Sequence, residues 1–158
     1  MDSNLVHVLL AEDDEDDRFL FEQILTTSSI SVFLTTVEDG EKLLNLLETI
    51  SAPPPPDVIF IDINMPLKNG IECLAQIRGN KKFDKVPVFM FSTSVYKHDV
   101  DLAYQLGANL YIPKQLFFDG QKQIIEQLFS VHWKDYLTKI PKDSFVLQKD
   151  TKKESNPS

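Results

Sequence analysis

Apolar and polar residues fall in blocks along this chain, switching between short strand-like runs and the three-to-four spacing of helices. Residues 5–11 form a mostly apolar run of strand length. Six acidic residues follow, Glu12, Asp13, Asp14, Glu15, Asp16 and Asp17. Phe19, Leu20, Ile24 and Leu25 then recur at helical spacing. Residues 31–37 are rich in β-branched side chains and predict a second strand, broken at Glu38, Asp39 and Gly40. Leu43, Leu44, Leu46, Leu47 and Ile50 mark the apolar face of a second helix, and the prolines at 53–56 make a stiff loop. Residues 58–61 are a third strand closed by Asp62. A loop over 65–70 leads to a helix marked by Ile71, Leu74 and Ile77. Residues 86–91 form a fourth strand ending at Ser92, Thr93 and Ser94. A helix over 100–106 follows and is stopped by Gly107. Residues 109–113 are a short fifth strand ending at Lys114. The last helix is expected over 119–137, with Ile124, Ile125, Leu128 and Phe129 inward.

Five strand–helix repeats with nearly continuous apolar strands predict an α/β fold, a doubly wound parallel sheet buried on both faces. In such sheets functional groups gather beyond the carboxyl ends of the strands. Here those ends carry Glu12 and Asp13, Asp62, Ser92 and Lys114, residues far apart in sequence that the fold would bring to one edge.

Three carboxylates in one pocket repel each other unless a cation joins them. Hard oxygen ligands select Mg²⁺, Mn²⁺ or Ca²⁺, and Mg²⁺ in particular takes one or two carboxylates together with phosphate oxygens. A lysine ammonium and a small hydroxyl can each meet a further phosphoryl oxygen. The set suits in-line phosphoryl transfer, where catalysis is mainly positioning and charge neutralisation. Asp62, just past a buried strand, is the natural nucleophile. Asp14 to Asp17 read instead as solvated acids at a helix start, each favourable there by roughly 0.3–1 kcal/mol.

Composition narrows the picture. The chain has 158 residues and a formal net charge of −8, which suits one domain and argues against nucleic-acid binding. Cys73 is the only cysteine, so an intrachain disulfide is excluded. The first four residues lead straight into the strand pattern. With no signal peptide and no apolar run long enough to span a membrane, a cytoplasmic location is expected.

The chain resembles the receiver domains of two-component response regulators, including the single-domain chemotaxis type. The resemblance rests on Leu9-Leu10-Ala11-Glu12-Asp13-Asp14, on Ile61-Asp62-Ile63-Asn64-Met65-Pro66 with Asn69-Gly70, on residues 86–94, and on residues 106–114. It spans about residues 5–137. It implies a flavodoxin-like receiver fold with five parallel strands ordered 2-1-3-4-5. The chain would then be a phosphoprotein of a phosphorelay, not an enzyme, that assists its own phosphorylation and dephosphorylation. Asp62 would be the phosphoacceptor. Mg²⁺ would be held by Asp13, Asp62 and the backbone carbonyl of Asn64, with Glu12 acting through a metal-bound water. Ser92 and Lys114 would bind phosphoryl oxygens, and Ser92 with Tyr111 would form the switch. A histidine kinase or histidine phosphotransfer protein would be the donor, with output through protein contact at the fourth helix, fifth strand and fifth helix.

Two other readings compete. A phosphatase of the haloacid-dehalogenase type also uses an Asp nucleophile, Mg²⁺, a hydroxyl and a lysine. It typically places an Asp-x-Asp motif after its first strand, whereas here Asp62 is followed by Ile63 and Asn64. A receiver-like module that binds partners without phosphorylation is the other. The sequence also departs from the family pattern. Gln115 follows Lys114 where proline is usual, and Pro113 precedes it, so residues 115–118 are expected to leave the strand on a path of their own. The receiver is expected to occupy residues 1–141, with 142–158 a polar, disordered tail lacking room for an output domain.

Overall fold

The computed structural model describes residues 5–49, 56–130 and 133–148. Ile50, the prolines at 53–55 and the tail residues 149–158 lie outside them. Five strands, β1 (Val6–Ala11), β2 (Val32–Val37), β3 (Val58–Asp62), β4 (Val88–Ser92) and β5 (Leu110–Pro113), alternate with α1 (Glu15–Thr26), α2 (Gly40–Thr49), α3 (Gly70–Arg78), α4 (Lys97–Leu106) and α5 (Lys114–Phe129). All four pairings are parallel, and the sheet order is β2-β1-β3-β4-β5.

Strand side chains alternate between two cores. Val8, Leu10, Phe60, Phe89 and Phe91 face α1 and α5, where Phe21 and Phe117 stack with ring centroids 4.9 Å apart. Leu9, Ile59, Ile61, Met90 and Tyr111 face the opposite way and pack with Leu43, Cys73 and Leu74 from α2 and α3. Every residue of β3 and β4 is buried, as expected for strands covered on both faces.

Helix boundaries follow local chemistry. Asp14 caps α1 by accepting from the Asp17 amide at 3.0 Å, and Asn69 and Glu72 form a capping box at α3. Gly107 ends α4 in a left-handed conformation, φ 102°, which costs a glycine little. At the end of the sheet remote from Asp62, Arg78 reaches across the bottom loops. It donates to the carbonyls of Gly107, Phe83 and Val86 and to Asn109 Oδ1, at 2.7–3.0 Å.

Two expectations need correction. The last helix begins at Lys114 and ends at Phe129, rather than running over 119–137. A helix tolerates proline just before its first turn, so Pro113 sits next to the start, and with Gln115 rather than proline after it, Lys114 is free to take helical backbone angles. Residues 115–118 are therefore its first turn, and a separate 3₁₀ helix follows over Trp133–Leu137.

The second correction concerns residues 142–148, which are a packed strap and not a loose tail. The Tyr111 amide donates to the Phe145 carbonyl at 3.1 Å, and the Leu147 amide to the Tyr111 carbonyl at 2.8 Å. Phe145 is fully buried, with its ring edge-on to Tyr104 at 5.0 Å. Lys142 pairs with Asp101 of α4, and the Tyr104 hydroxyl donates to the Ile140 carbonyl at 2.7 Å. The strap thus covers the outer edge of β5 with backbone pairing and one large apolar anchor.

Candidate functional site

Strand register assembles the site. Ala11 lies opposite Ile61, so Glu12 is level with Asp62. Asp62 lies opposite Phe91, so Ser92 is one step further out. Ser92 lies opposite Pro113, so Lys114 is one step beyond it. The chain ends of β1, β3, β4 and β5 therefore deliver all four groups to one edge. Gly70 closes the site from beneath: a Cβ there would lie 2.3 Å from the Asp62 carbonyl oxygen, so only glycine lets α3 approach the β3 end so closely.

Glu12 is fully buried, Asp62 is 4% exposed and Lys114 5% exposed, while Asp13 is open to solvent. Carboxylate oxygens of Glu12, Asp13 and Asp62 lie within 4.8 Å of one another. The Lys114 ammonium donates to Asp62 Oδ2 at 3.3 Å and to Asp17 Oδ2 at 2.8 Å. It is also 2.8 Å from Glu12 Oε1, a buried ion pair. Asp62 Oδ1 accepts from the Asn64 amide at 3.2 Å, and Ser92 Oγ accepts from the Ser94 amide at 3.0 Å. The Tyr111 hydroxyl donates to the Ser94 carbonyl at 2.6 Å, on the α4 side of the sheet.

The electrostatics are those of an acid pocket short of positive charge. Burial, then the neighbouring Asp62 carboxyl, pushes Glu12 from 4.5 up to about 8, with Lys114 pulling the other way. Burial and the Asp62 charge also raise Asp13. Burial alone would lower Lys114, but its contacts with Asp17, Glu12 and Asp62 outweigh it and hold the ammonium protonated. A trio of converging acids, two of them buried around a single ammonium, fits a hard divalent cation. Glu12, Asp13, Asp62, Ser92 and Lys114 meet at this edge and the Asn64 amide bonds Asp62, while Tyr111 stands behind it in the core with its hydroxyl on the Ser94 carbonyl. Asp17, read from the sequence as a solvated helix-start acid, also reaches the edge, for Lys114 is its partner.

The family model for the response regulator receiver domain matches residues 8–128. The chain belongs to the response regulators. Among curated relatives of this receiver, response regulator Rcp1 from Synechocystis sp. is 34% identical over 110 residues, covering 68% of this chain and 75% of Rcp1. Among solved structures, the Mn²⁺-bound form of Rcp1 superposes with a TM-score of 0.72 at 30% identity, over 80% of this chain and 96% of that one. The phosphorylated cyanobacterial phytochrome response regulator RcpA gives 0.71 at 30% identity, over 79% and 94%. The receiver match and the 2-1-3-4-5 sheet leave the haloacid-dehalogenase alternative without support. Among the described residues, no helix is long and apolar enough to cross a membrane.

Proposed function

We propose that this receiver takes a phosphoryl group on Asp62 from a histidine kinase or phosphotransfer protein, in a Mg²⁺-dependent reaction. The observation that carries the reading is the convergence of buried Asp62, Glu12 and Lys114 at one strand-end edge, with Asp13 completing a trio of carboxylates whose oxygens lie within 4.8 Å of one another. A carboxylate oxygen of Asp62 attacks the phosphorus, and the bond from phosphorus to the donor breaks with its electron pair leaving on the donor. Asp13, Asp62 and the Asn64 carbonyl would hold the cation, with Glu12 meeting a water bound to it. Mg²⁺, when bound, supplies positive charge to the phosphoryl oxygens. Lys114 and Ser92 neutralise and orient the remaining oxygens. The Mn²⁺-bound form of Rcp1 supports a divalent cation, and the chemistry of the donor set favours Mg²⁺. The likeness to RcpA makes a phytochrome-type sensor kinase the first donor to try.

Output is by protein contact, without nucleic-acid or membrane binding, from a cytoplasmic protein that turns over no substrate of its own. Phosphorylation engages Ser92, and Tyr111 relays the change to the α4–β5–α5 face. The receiver unit extends through residue 148, because the strap completes that face. The test is acetyl phosphate with Mg²⁺. One base-labile phosphoryl group should be added to the wild type and none to Asp62→Asn, and undiminished labelling of the variant would overturn the assignment. Mg²⁺ should raise the melting temperature by mass action, and an equal rise in Asp13→Asn would misplace the metal.

A further inference from the structure

Lys114 meets more negative charge than the proposed reaction uses. Its ammonium lies 2.8 Å from Asp17 Oδ2 and Glu12 Oε1 and 3.3 Å from Asp62 Oδ2. Glu12 and Asp62 belong to the trio that can hold a cation, and Asp17 does not. The Asp17 side chain is the outermost of the three, 23% exposed against 0% for Glu12 and 6% for Asp62. Its backbone is fixed independently of the lysine. The Asp17 amide is held by the Asp14 cap at 3.0 Å, and Arg18 of the same turn donates to the Glu12 carbonyl at 2.7 Å, tying the start of α1 to the end of β1.

Resting on the receiver reading above, we propose that Asp17 is a positioning residue that takes over the Lys114 ammonium when a divalent cation draws Glu12 and Asp62 to itself. A cation and an ammonium seeking the same two carboxylates repel each other, and the repulsion is strong in a buried site. Lys114 must give up those acids without leaving the pocket, since a phosphoryl group needs it there. An ammonium on a four-carbon stem presents three donors in different directions from one tetrahedral nitrogen. One stays on Asp17 while another is free for a phosphoryl oxygen. Without Asp17, the lysine has no other acid within 4 Å among the described residues and stays on Glu12 and Asp62, in competition with the metal.

The role is separable from that of a negative charge merely near the metal. Calorimetric titration with Mg²⁺ alone would compare wild type, Asp17→Asn, Lys114→Met and the double variant. Acting through Lys114, Asp17→Asn should weaken Mg²⁺ binding by about tenfold in the wild-type background and less than twofold beside Lys114→Met. Equal weakening in both backgrounds, or none in either, overturns the proposal. Absence of Mg²⁺ binding to the wild type overturns the metal reading beneath it as well. Should Lys114→Met not fold, the ammonium resonance of Lys114 is read directly by ¹⁵N NMR. In Mg²⁺-saturated protein it should stay protected from water exchange in the wild type and lose protection in Asp17→Asn. Loss in both, or protection in both, refutes the transfer.

Discussion

The strand-end pocket and the outer edge of β5 are both built from segments far apart in the chain, but by different means. The pocket is made of side chains: Lys114 meets Asp62 across 52 residues and Asp17 across 97. The β5 edge is made mostly of backbone. Both backbone polar groups of Tyr111 pair with the strap, and the Phe145 ring packs edge-on to Tyr104. Chemistry that demands a carboxylate, a hydroxyl or an ammonium leaves a signature in residue type. Strand pairing accepts almost any residue and leaves little. The two regions should therefore fail in different ways when perturbed.

The largest expected effect is a crossed pair. Asp62→Asn should abolish phosphorylation while leaving the thermal midpoint of the metal-free protein unchanged or raised, since it removes one of three mutually repelling acids. Phe145→Ala should do the reverse. Truncating a fully buried phenylalanine costs about 3–5 kcal/mol, while acetyl phosphate labelling at Asp62 should stay near wild type at temperatures where the variant is folded. Denaturant melts alongside the labelling assay check both arms. A Phe145→Ala protein of wild-type stability would mean that the strap does not hold the edge.

The second effect is a pH dependence centred on the pocket. The pKa of Glu12 rises from 4.5 to about 8 on folding. A carboxyl raised in the folded state adds stability that is complete below its unfolded pKa and is lost as pH climbs through the folded one. Metal-free protein should lose this contribution between about pH 4.5 and 8, and Asp13, also raised, acts in the same direction. His7, lowered mainly by burial, works the opposite way, losing stability as pH falls below 6.5. Comparing urea midpoints of wild type with Glu12→Gln isolates the Glu12 share, and Mg²⁺ should flatten the wild-type curve. Parallel curves for the two proteins without metal would show that Glu12 titrates normally.

How much was legible follows from the same contrast. Alternating strand and helix periods gave all five strands, most plainly β3 and β4, which are buried on both faces and apolar almost throughout, whereas the sheet order came from the receiver resemblance. Glu12, Asp62, Ser92 and Lys114 were legible because each stands where an apolar run stops. Asp17 was not, because in a run of six acids a helix-start role accounts for every residue after Asp13. Only the placement of Lys114 singles Asp17 out. The start of α5 was misread because Gln115, standing where the family has proline, suggested a separate path for residues 115–118, whereas they form the first turn of the helix. The strap was missed because Phe145, Val146 and Leu147 are too short a run to stand out among polar neighbours.

Tyr111 belongs to both regions, and the smallest effect tests whether it joins them. Its hydroxyl donates to the Ser94 carbonyl, and the Ser94 amide in turn donates to Ser92 Oγ. Its backbone holds the strap. Tyr111→Phe removes one hydrogen bond, worth about 0.5–1.5 kcal/mol, and leaves the strap pairing in place. If phosphorylation pulls Ser92 toward the phosphoryl group, Ser94 moves with it and the tyrosine ring loses or resets its anchor. The ring packs beside Phe145, whose centroid lies 6.2 Å away, so a shift of one bears on the other. The Leu147 amide, bonded to the Tyr111 carbonyl, should then exchange with solvent at a different rate in the phosphorylated protein. Tyr111→Phe, lacking the hydroxyl, should show a smaller difference between the two states. Amide exchange at Leu147 that is identical with and without phosphorylation would mean that the pocket and the β5 edge share a residue but not a conformational change.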